Sequence, residues 1–150
     1  MGGRAKDERI ETCQRLCREN GMVLTPQRRA ILGAVLDLDD HPTADRVHAA
    51  LARRRVRVSR ATVFRTLESF ARLGVITRAC HPGIAVRYDS RTDLHHHLVC
   101  LSCDRVIDFS DARLDALPVP DTRPLGFVVS DFRVQLRGIC KGCRKQEDKK

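Results

Sequence analysis

His95-His96-His97-Leu98-Val99-Cys100-Leu101-Ser102-Cys103 packs two kinds of metal ligand into nine residues, and the remainder of the chain answers it. Side chains alternate across a β-strand, so His95 and His97 share one face while His96 looks to the other. Two imidazoles then converge on one side. Cys100-x-x-Cys103 follows at once, and the only other such pair is Cys140-x-x-Cys143 near the end of the chain. Four thiolates in two half-sites make a tetrahedral zinc site. The 36 residues between the pairs exceed the zinc-ribbon spacing, so the fold must bring them together. A disulfide or a thioredoxin-type redox pair would use the same residues. Met1 to Glu8 contains no hydrophobic leader, so the expected location is the cytoplasm, where thiols stay reduced.

The chain has 150 residues, seven of them cysteine, enough for one domain or two small ones with a real core. No apolar run reaches the length of a membrane span. The net charge of +9 is unevenly spread: 17 Lys and Arg against 10 Asp and Glu up to Ser90, a net of +7, and 11 against 9 thereafter, a net of +2. Arg53-Arg54-Arg55, Arg57, Arg60 and Arg65 dominate the excess, the electrostatic footprint of a phosphate-binding surface. A genome that favours arginine codons would leave the same trace.

Capping signals divide the first part into helices. Residues 6–19 place Ile10, Cys13, Leu16 and Cys17 on one apolar stripe before Asn20-Gly21 stops the helix. Cys13-x-x-x-Cys17 suits metal or oxidants, but small buried thiols are commoner and core packing is expected. Thr25-Pro26 starts a second helix, and Thr43, after His41-Pro42, starts a third. Ser59 caps a fourth, 60–73, which buries Val63, Leu67, Phe70 and Ala71 and ends at Gly74. Its other face carries Arg60, Thr62, Phe64, Arg65 and Ser69. Phe64 among arginines suits contact with a thymine methyl beside phosphate clamps, or packing against a neighbouring helix. Two short extended runs, Val75 to Cys80 and Ile84 to Asp89, joined by His81-Pro82-Gly83, complete a winged helix-turn-helix whose fourth helix enters the major groove. Cys80 is taken as structural or incidental.

Polar Ser90 to Asp93 reads as a hinge. Extended runs are expected at His95 to Leu101, Arg105 to Phe109 and Phe127 to Ile139, with about two turns of helix from Asp111 to Leu117 before Pro118, Pro120 and Pro124. Such a thin domain needs zinc and a second copy to be stable. The fold class is therefore α+β: a winged-helix DNA-binding domain, 1–90, then a dimerisation and metal-sensing domain, 91–150, with a three-stranded antiparallel sheet. Asp89 and Asp108, each ordinary alone, join His41, His95 and His97 in a five-ligand nitrogen and oxygen set that suits Fe(II) or Mn(II). Its members come from both parts of the chain, so a bound ion would fix one against the other.

From about Met22 to Cys143 the sequence resembles the ferric uptake regulator (Fur) family. The resemblance rests on Leu24-Thr-Pro-Gln-Arg28, His41-Pro-Thr-Ala-Asp45, Ser59-Arg-Ala-Thr-Val-Phe-Arg-Thr-Leu67, Arg87-Tyr-Asp89, the stretch His95 to Cys103, Val106-Ile-Asp-Phe109 and Gly138-Ile-Cys-Lys-Gly-Cys143. It implies a dimeric, metal-dependent repressor of double-stranded operator DNA, with no enzymatic activity. Cys100, Cys103, Cys140 and Cys143 fall on the family's structural zinc ligands. His41, Asp89, His95, His97 and Asp108 fall on its regulatory Fe(II) or Mn(II) site, and Arg28, Ser59, Arg60, Thr62, Phe64 and Arg65 on the DNA-binding surface. Iron-sensing members tend to have glutamate at the position of Asp89. Aspartate there and at Asp108 resembles the peroxide-responsive PerR branch, in which peroxide oxidises a ligand histidine, here His41 or His95, and DNA is released. Phe64 replaces the usual tyrosine, Phe132 stands where many relatives have histidine, and the three prolines shorten the dimerisation helix.

Other readings predict different behaviour. An iron-level regulator, or a nickel or zinc sensor using His96, would track metal without oxidation. A non-haem metal enzyme would need a substrate pocket and would leave the arginine-rich helix unexplained. A zinc-stabilised adaptor would bind nucleic acid or protein whatever stood at Asp89 or His97.

Overall fold

Pro26 sits at the first helical position of α2 (Pro26–Leu38), where its missing N–H costs nothing, and the Thr25 hydroxyl accepts the Arg28 N–H at 3.3 Å. The structure is a computed structural model that describes residues 3–38, 40–79 and 85–147. The chain divides into two compact units, Met1–Thr92 and Asp93–Lys150.

In the first unit α1 (Gly3–Glu19) precedes α2, and Gly21 takes the left-handed φ of 67° that ends it. Thr43 caps α3 (Ala44–Arg53) by accepting the Arg46 N–H, and Ser59 caps α4 (Arg60–Arg72) by accepting the Thr62 N–H at 3.1 Å. The helical spacing of apolar residues then gives one core. Ile31, Leu32 and Val35 of α2 meet Val47 and Leu51 of α3 and Val63, Leu67 and Phe70 of α4, all at most 1% exposed. Each such side chain contributes about 1.5–3 kcal/mol by leaving water.

Strands β1 (Thr77–Ala79) and β2 (Arg87–Asp89) pair antiparallel, Thr77 opposite Asp89. Regular pairing is shorter than the extended runs expected from sequence. The turn His81-Pro82-Gly83 and Cys80 lie outside the described residues. The Tyr88 N–H donates to the Pro42 carbonyl at 3.0 Å and Thr43 bridges to Arg87, so β2 is stitched to the segment leading into α3.

The second unit is a three-stranded sheet in the order β4 (Val106–Phe109), β3 (His96–Cys100), β5 (Gln135–Gly138). Pairing of β3 with β4 is antiparallel, His97 opposite Asp108, but β3 and β5 are parallel, His97 opposite Gln135. The sheet is thus mixed, and the expectation of an all-antiparallel sheet is corrected. The reason lies in the connection 110–134, long enough for a crossover that lays β5 on the other edge of β3 in the same direction. Along it lie α5 (Ala112–Asp115), a single turn where about two were expected, and a 3-10 turn at Arg123–Leu125. The long strand expected from Phe127 to Ile139 is also corrected, since only Gln135–Gly138 pairs. Phe127 and Val128, 69% and 88% exposed, have no strand beside them to alternate against. A short helix not foreseen from sequence, α6 (Lys141–Glu147), follows β5. Among the described residues no helix is long and apolar enough to cross a membrane.

Candidate metal centres and nucleic-acid interface

Register brings the cysteine pairs together. Cys100 ends β3 opposite Gly138 of the parallel β5, so the turn after β3 and the first turn of α6 sit side by side. One Sγ of each cysteine lies within 4.8 Å of all the others, and Cys100–Cys143 and Cys103–Cys140 are 3.9 Å apart. Sulfurs about 2.3 Å from a tetrahedral zinc are about 3.8 Å from each other, so the cluster fits that ion with little closure. The backbone prepares the ligands. The Cys140 N–H donates to Cys100 Sγ at 3.3 Å, and with the backbone at Ser102 it brings the Cys100 thiol down to about 6. Cys140 is lowered too, chiefly by the Cys143 N–H. Cys143 moves the other way, to about 12: the Ser102 hydroxyl lowers it, but hydrogen bonds with Cys103 and Cys140 outweigh that. Crowded thiols keep a proton among them unless a cation displaces it.

Within the second unit, His95, His97 and Asp108 form a buried cluster. The Nε2 atoms of His95 and His97 are 3.1 Å apart, and Asp108 Oδ1 lies 3.8 and 3.5 Å from them. His95 Nδ1 is 2.8 Å from the Asp93 carbonyl, which can only accept, so Nδ1 carries the proton and Nε2 presents its lone pair to the cluster. At about 2.1 Å from a shared ion, two such nitrogens subtend about 95°, close to an octahedral angle. Imidazole and carboxylate without sulfur fit Fe(II) or Mn(II).

The remaining candidates, His41 and Asp89, meet in the first unit, His41 Nε2 3.5 Å from Asp89 Oδ2, both buried. His41 holds a left-handed φ of 53°, uncommon for a residue with a Cβ and costing about 1–2 kcal/mol. Arg87 restrains it by donating from Nη1 to the His41 carbonyl at 3.1 Å. The Arg91 N–H donates to Asp89 Oδ1 at 2.7 Å and aims the carboxylate.

His96 faces away from this cluster, as alternation requires. It is fully buried between Phe109 and Phe132, with Nδ1 accepting the Val134 N–H at 3.2 Å. Asp115 Oδ1 stands 3.1 Å from Nε2, near enough for attraction but off the hydrogen-bond axis. Sequence reasoning passed over Asp115, for which only a mid-helix carboxylate was visible.

On α4, Phe64 is 46% exposed, so it points outward and does not fill the core. Thr25, Gln27, Arg28, Thr62, Arg65 and Ser69 line an adjacent groove of about 390 Å³. Arg60 is paired with Asp45, and Arg28 Nη1 donates to the Val23 carbonyl at 2.6 Å, so both guanidinium groups are held in place. Ser59, besides capping, bonds the Thr62 hydroxyl at 2.8 Å. One connection was not foreseen: fully buried Tyr88, next to Asp89, donates its hydroxyl to Glu68 of α4 at 2.9 Å, and Glu68 also pairs with Arg78. The clue in the sequence was that this is the only tyrosine.

Helices that present an outward basic face, a β-hairpin and clusters of metal-ligating side chains define a metal-dependent transcriptional regulator. The chain belongs to the ferric uptake regulator family, whose profile matches residues 19–137. It is 32% identical over 148 residues to the peroxide operon regulator of Bacillus subtilis, covering 99% of both chains. A solved zinc-bound manganese uptake regulator is similar at 32% identity and a TM-score of 0.66, over 86% of this chain and 98% of that one. The Campylobacter jejuni peroxide stress regulator is similar at 26% identity and a TM-score of 0.64, over 79% and 89%.

Proposed function

We propose that this protein is a dimeric repressor of double-stranded operator DNA whose grip depends on a metal ion and is lost when peroxide oxidises the regulatory site. The carrying observation is the donor set. His95, His97 and Asp108 converge in the second unit and His41 and Asp89 in the first, all imidazole and carboxylate, with aspartate at both acidic positions. Similarity to the Bacillus subtilis peroxide operon regulator over nearly the whole of both chains supports the peroxide reading. Cys100, Cys103, Cys140 and Cys143 would hold structural zinc. His41 and Asp89 with His95, His97 and Asp108 are the residues that would hold the regulatory ion, and Fe(II) bound by them would supply the chemistry by which peroxide adds oxygen to His41 or His95. The residues do the rest. The Asp93 carbonyl keeps His95 in one tautomer, Arg87 holds the His41 backbone, and the Arg91 N–H orients Asp89.

On DNA, α4 occupies the major groove, where Phe64 and Thr62 meet base edges and Arg28, Ser59, Arg60 and Arg65 contact phosphate. A second copy covers the sheet. Ile107, Leu98 and Leu136 are in register across the three strands and each at least 40% exposed, an apolar row that one chain leaves in water. No enzymatic turnover is part of this function.

The test loads the zinc form with Fe(II) anaerobically, adds a slight excess of hydrogen peroxide, and follows DNA binding alongside peptide mass. One added oxygen on the peptide bearing His41 or His95, with release of DNA and no such change in a Mn(II) control, is the expected result. A metal-level regulator is the second reading, favoured by the similarity to a manganese uptake regulator. It predicts no histidine oxidation and DNA binding that tracks free metal.

A further inference from the structure

The first unit contains a sulfur cluster that none of this uses. Cys13 and Cys17, one turn apart on α1, are 1% and 0% exposed, with their Sγ atoms 3.9 Å apart. Just past the helix the chain turns back at Gly21, and the Cys17 thiol donates to Met22 Sδ at 3.8 Å. Sulfurs at these separations, each about 2.3 Å from one ion, subtend about 110–116° at it, close to the trigonal angle. Two thiols and a thioether, with no nitrogen or oxygen ligand, are a soft set. Thiolate and thioether ligands suit Cu(I), zinc and iron–sulfur clusters, but zinc sites add nitrogen, oxygen or a fourth thiolate and iron–sulfur clusters take four cysteines, so a set of three sulfurs suits Cu(I).

We propose that Cys13, Cys17 and Met22 form a three-coordinate site for a soft monovalent metal ion, Cu(I), separate from the zinc and regulatory centres.

The surroundings fit this ligand. Two cationic side chains, Arg9 and Arg29, lie close enough to Cys13 to act on it electrostatically. Those two guanidinium groups offset the single negative charge left when Cu(I) replaces the thiol protons of both cysteines. An entry route exists as well. Of the three sulfur residues, half-buried Met22 is the one that lines a cavity of about 530 Å³, together with Gln14, Leu24 and Arg29 among others.

The experiment titrates the full-length, zinc-loaded chain with Cu(I) presented as its bathocuproine disulfonate complex, measures zinc and copper together, and records copper X-ray absorption. Expected is uptake of one Cu(I) per chain with all zinc retained and a first shell of three sulfurs. Cys13→Ser and Cys17→Ser should lose that uptake. Met22→Leu keeps both thiols and the packing volume, and should lose one sulfur from the shell. Copper that enters only as zinc leaves, uptake unchanged in either serine variant, or a three-sulfur shell surviving Met22→Leu overturns the proposal. The leucine variant decides the matter if a serine in the core prevents folding.

Discussion

Cys103→Ser isolates the contribution of the four-thiolate cluster, because Cys103 is exposed and its replacement removes a ligand without opening a cavity. Structural zinc sites supply about 10–16 kcal/mol of binding free energy, all of it coupled to folding. An even share for one thiolate of four is about 2.5–4 kcal/mol, on the order of a hundredfold in affinity. The loss should fall on particular amides. The Leu101 N–H bonds the Gly138 carbonyl at 2.8 Å beside the cluster, and the His97 N–H bonds the Val134 carbonyl at 3.0 Å at the other end of the same strand pair. Only Val99, Cys100 and Val106 are buried apolar residues in the described part of the second unit, so hydrophobic packing offers little in reserve. Hydrogen exchange followed by mass spectrometry should therefore show β3, β5 and α6 exchanging on the order of a hundredfold faster in Cys103→Ser, with α2, α3 and α4 unchanged and zinc content reduced. Full zinc content with unchanged exchange in β3 and β5 would refute the assignment, and acceleration spread evenly over both units would refute the independence of their cores.

Phe70→Ala empties the centre of the first unit and should cost about 3–5 kcal/mol in denaturant unfolding of that unit, the usual loss for a fully buried phenylalanine. Ser59→Ala removes the acceptor for the Thr62 N–H and should cost about 1 kcal/mol, read as about fivefold faster amide exchange in the first turn of α4. His97→Ala should abolish the metal dependence of DNA binding, whereas Arg65→Ala should weaken binding at every metal concentration and flatten its salt dependence, both by gel shift; a His97→Ala protein that still needs metal would sink the regulatory-site assignment. Tyr88→Phe deletes only the hydroxyl that reaches Glu68, a bond to a charged acceptor contributing about 1.5–3 kcal/mol. Metal affinity should survive in it while the effect of metal on DNA affinity shrinks, and undiminished coupling would show that Asp89 does not act on α4 through Tyr88.

Local signals in the sequence were enough wherever a residue does one job by itself. Thr43, Ser59 and Gly74 mark helix ends through their own hydroxyls or lack of a Cβ, and each ends a helix as read. Alternation along β3 likewise separated His95 and His97 from His96, because strand period needs no knowledge of the neighbours. What failed was non-local. Strand direction for β5 depends on where a 25-residue connection lands, and nothing between Ser110 and Val134 encodes that edge. The apolar pattern from Phe127 to Ile139 resembles a long strand, but its partner β3 is only His96–Cys100, so pairing stops at Gln135–Gly138.

The mixed sheet that sequence did not disclose is also what builds the cysteine cluster. Had β5 run antiparallel to β3, its C-terminal end would lie beside His96, and the Cys140 pair would be carried a strand length away from Cys100. Parallel pairing instead puts the ends of both strands at one edge, so each Cys-x-x-Cys leaves its strand next to the other. The same strand presents His97 on one face and Leu98 on the next, against Asp108 and Ile107 of β4 in turn. His97 of the proposed regulatory site, Leu98 of the apolar row and Cys100 of the cysteine cluster thus lie within five residues, His96–Cys100. A one-residue register slip in β3 would exchange its two faces and misplace all three together, so a zinc ion bound at its C-terminal end would also protect the proposed site at its start.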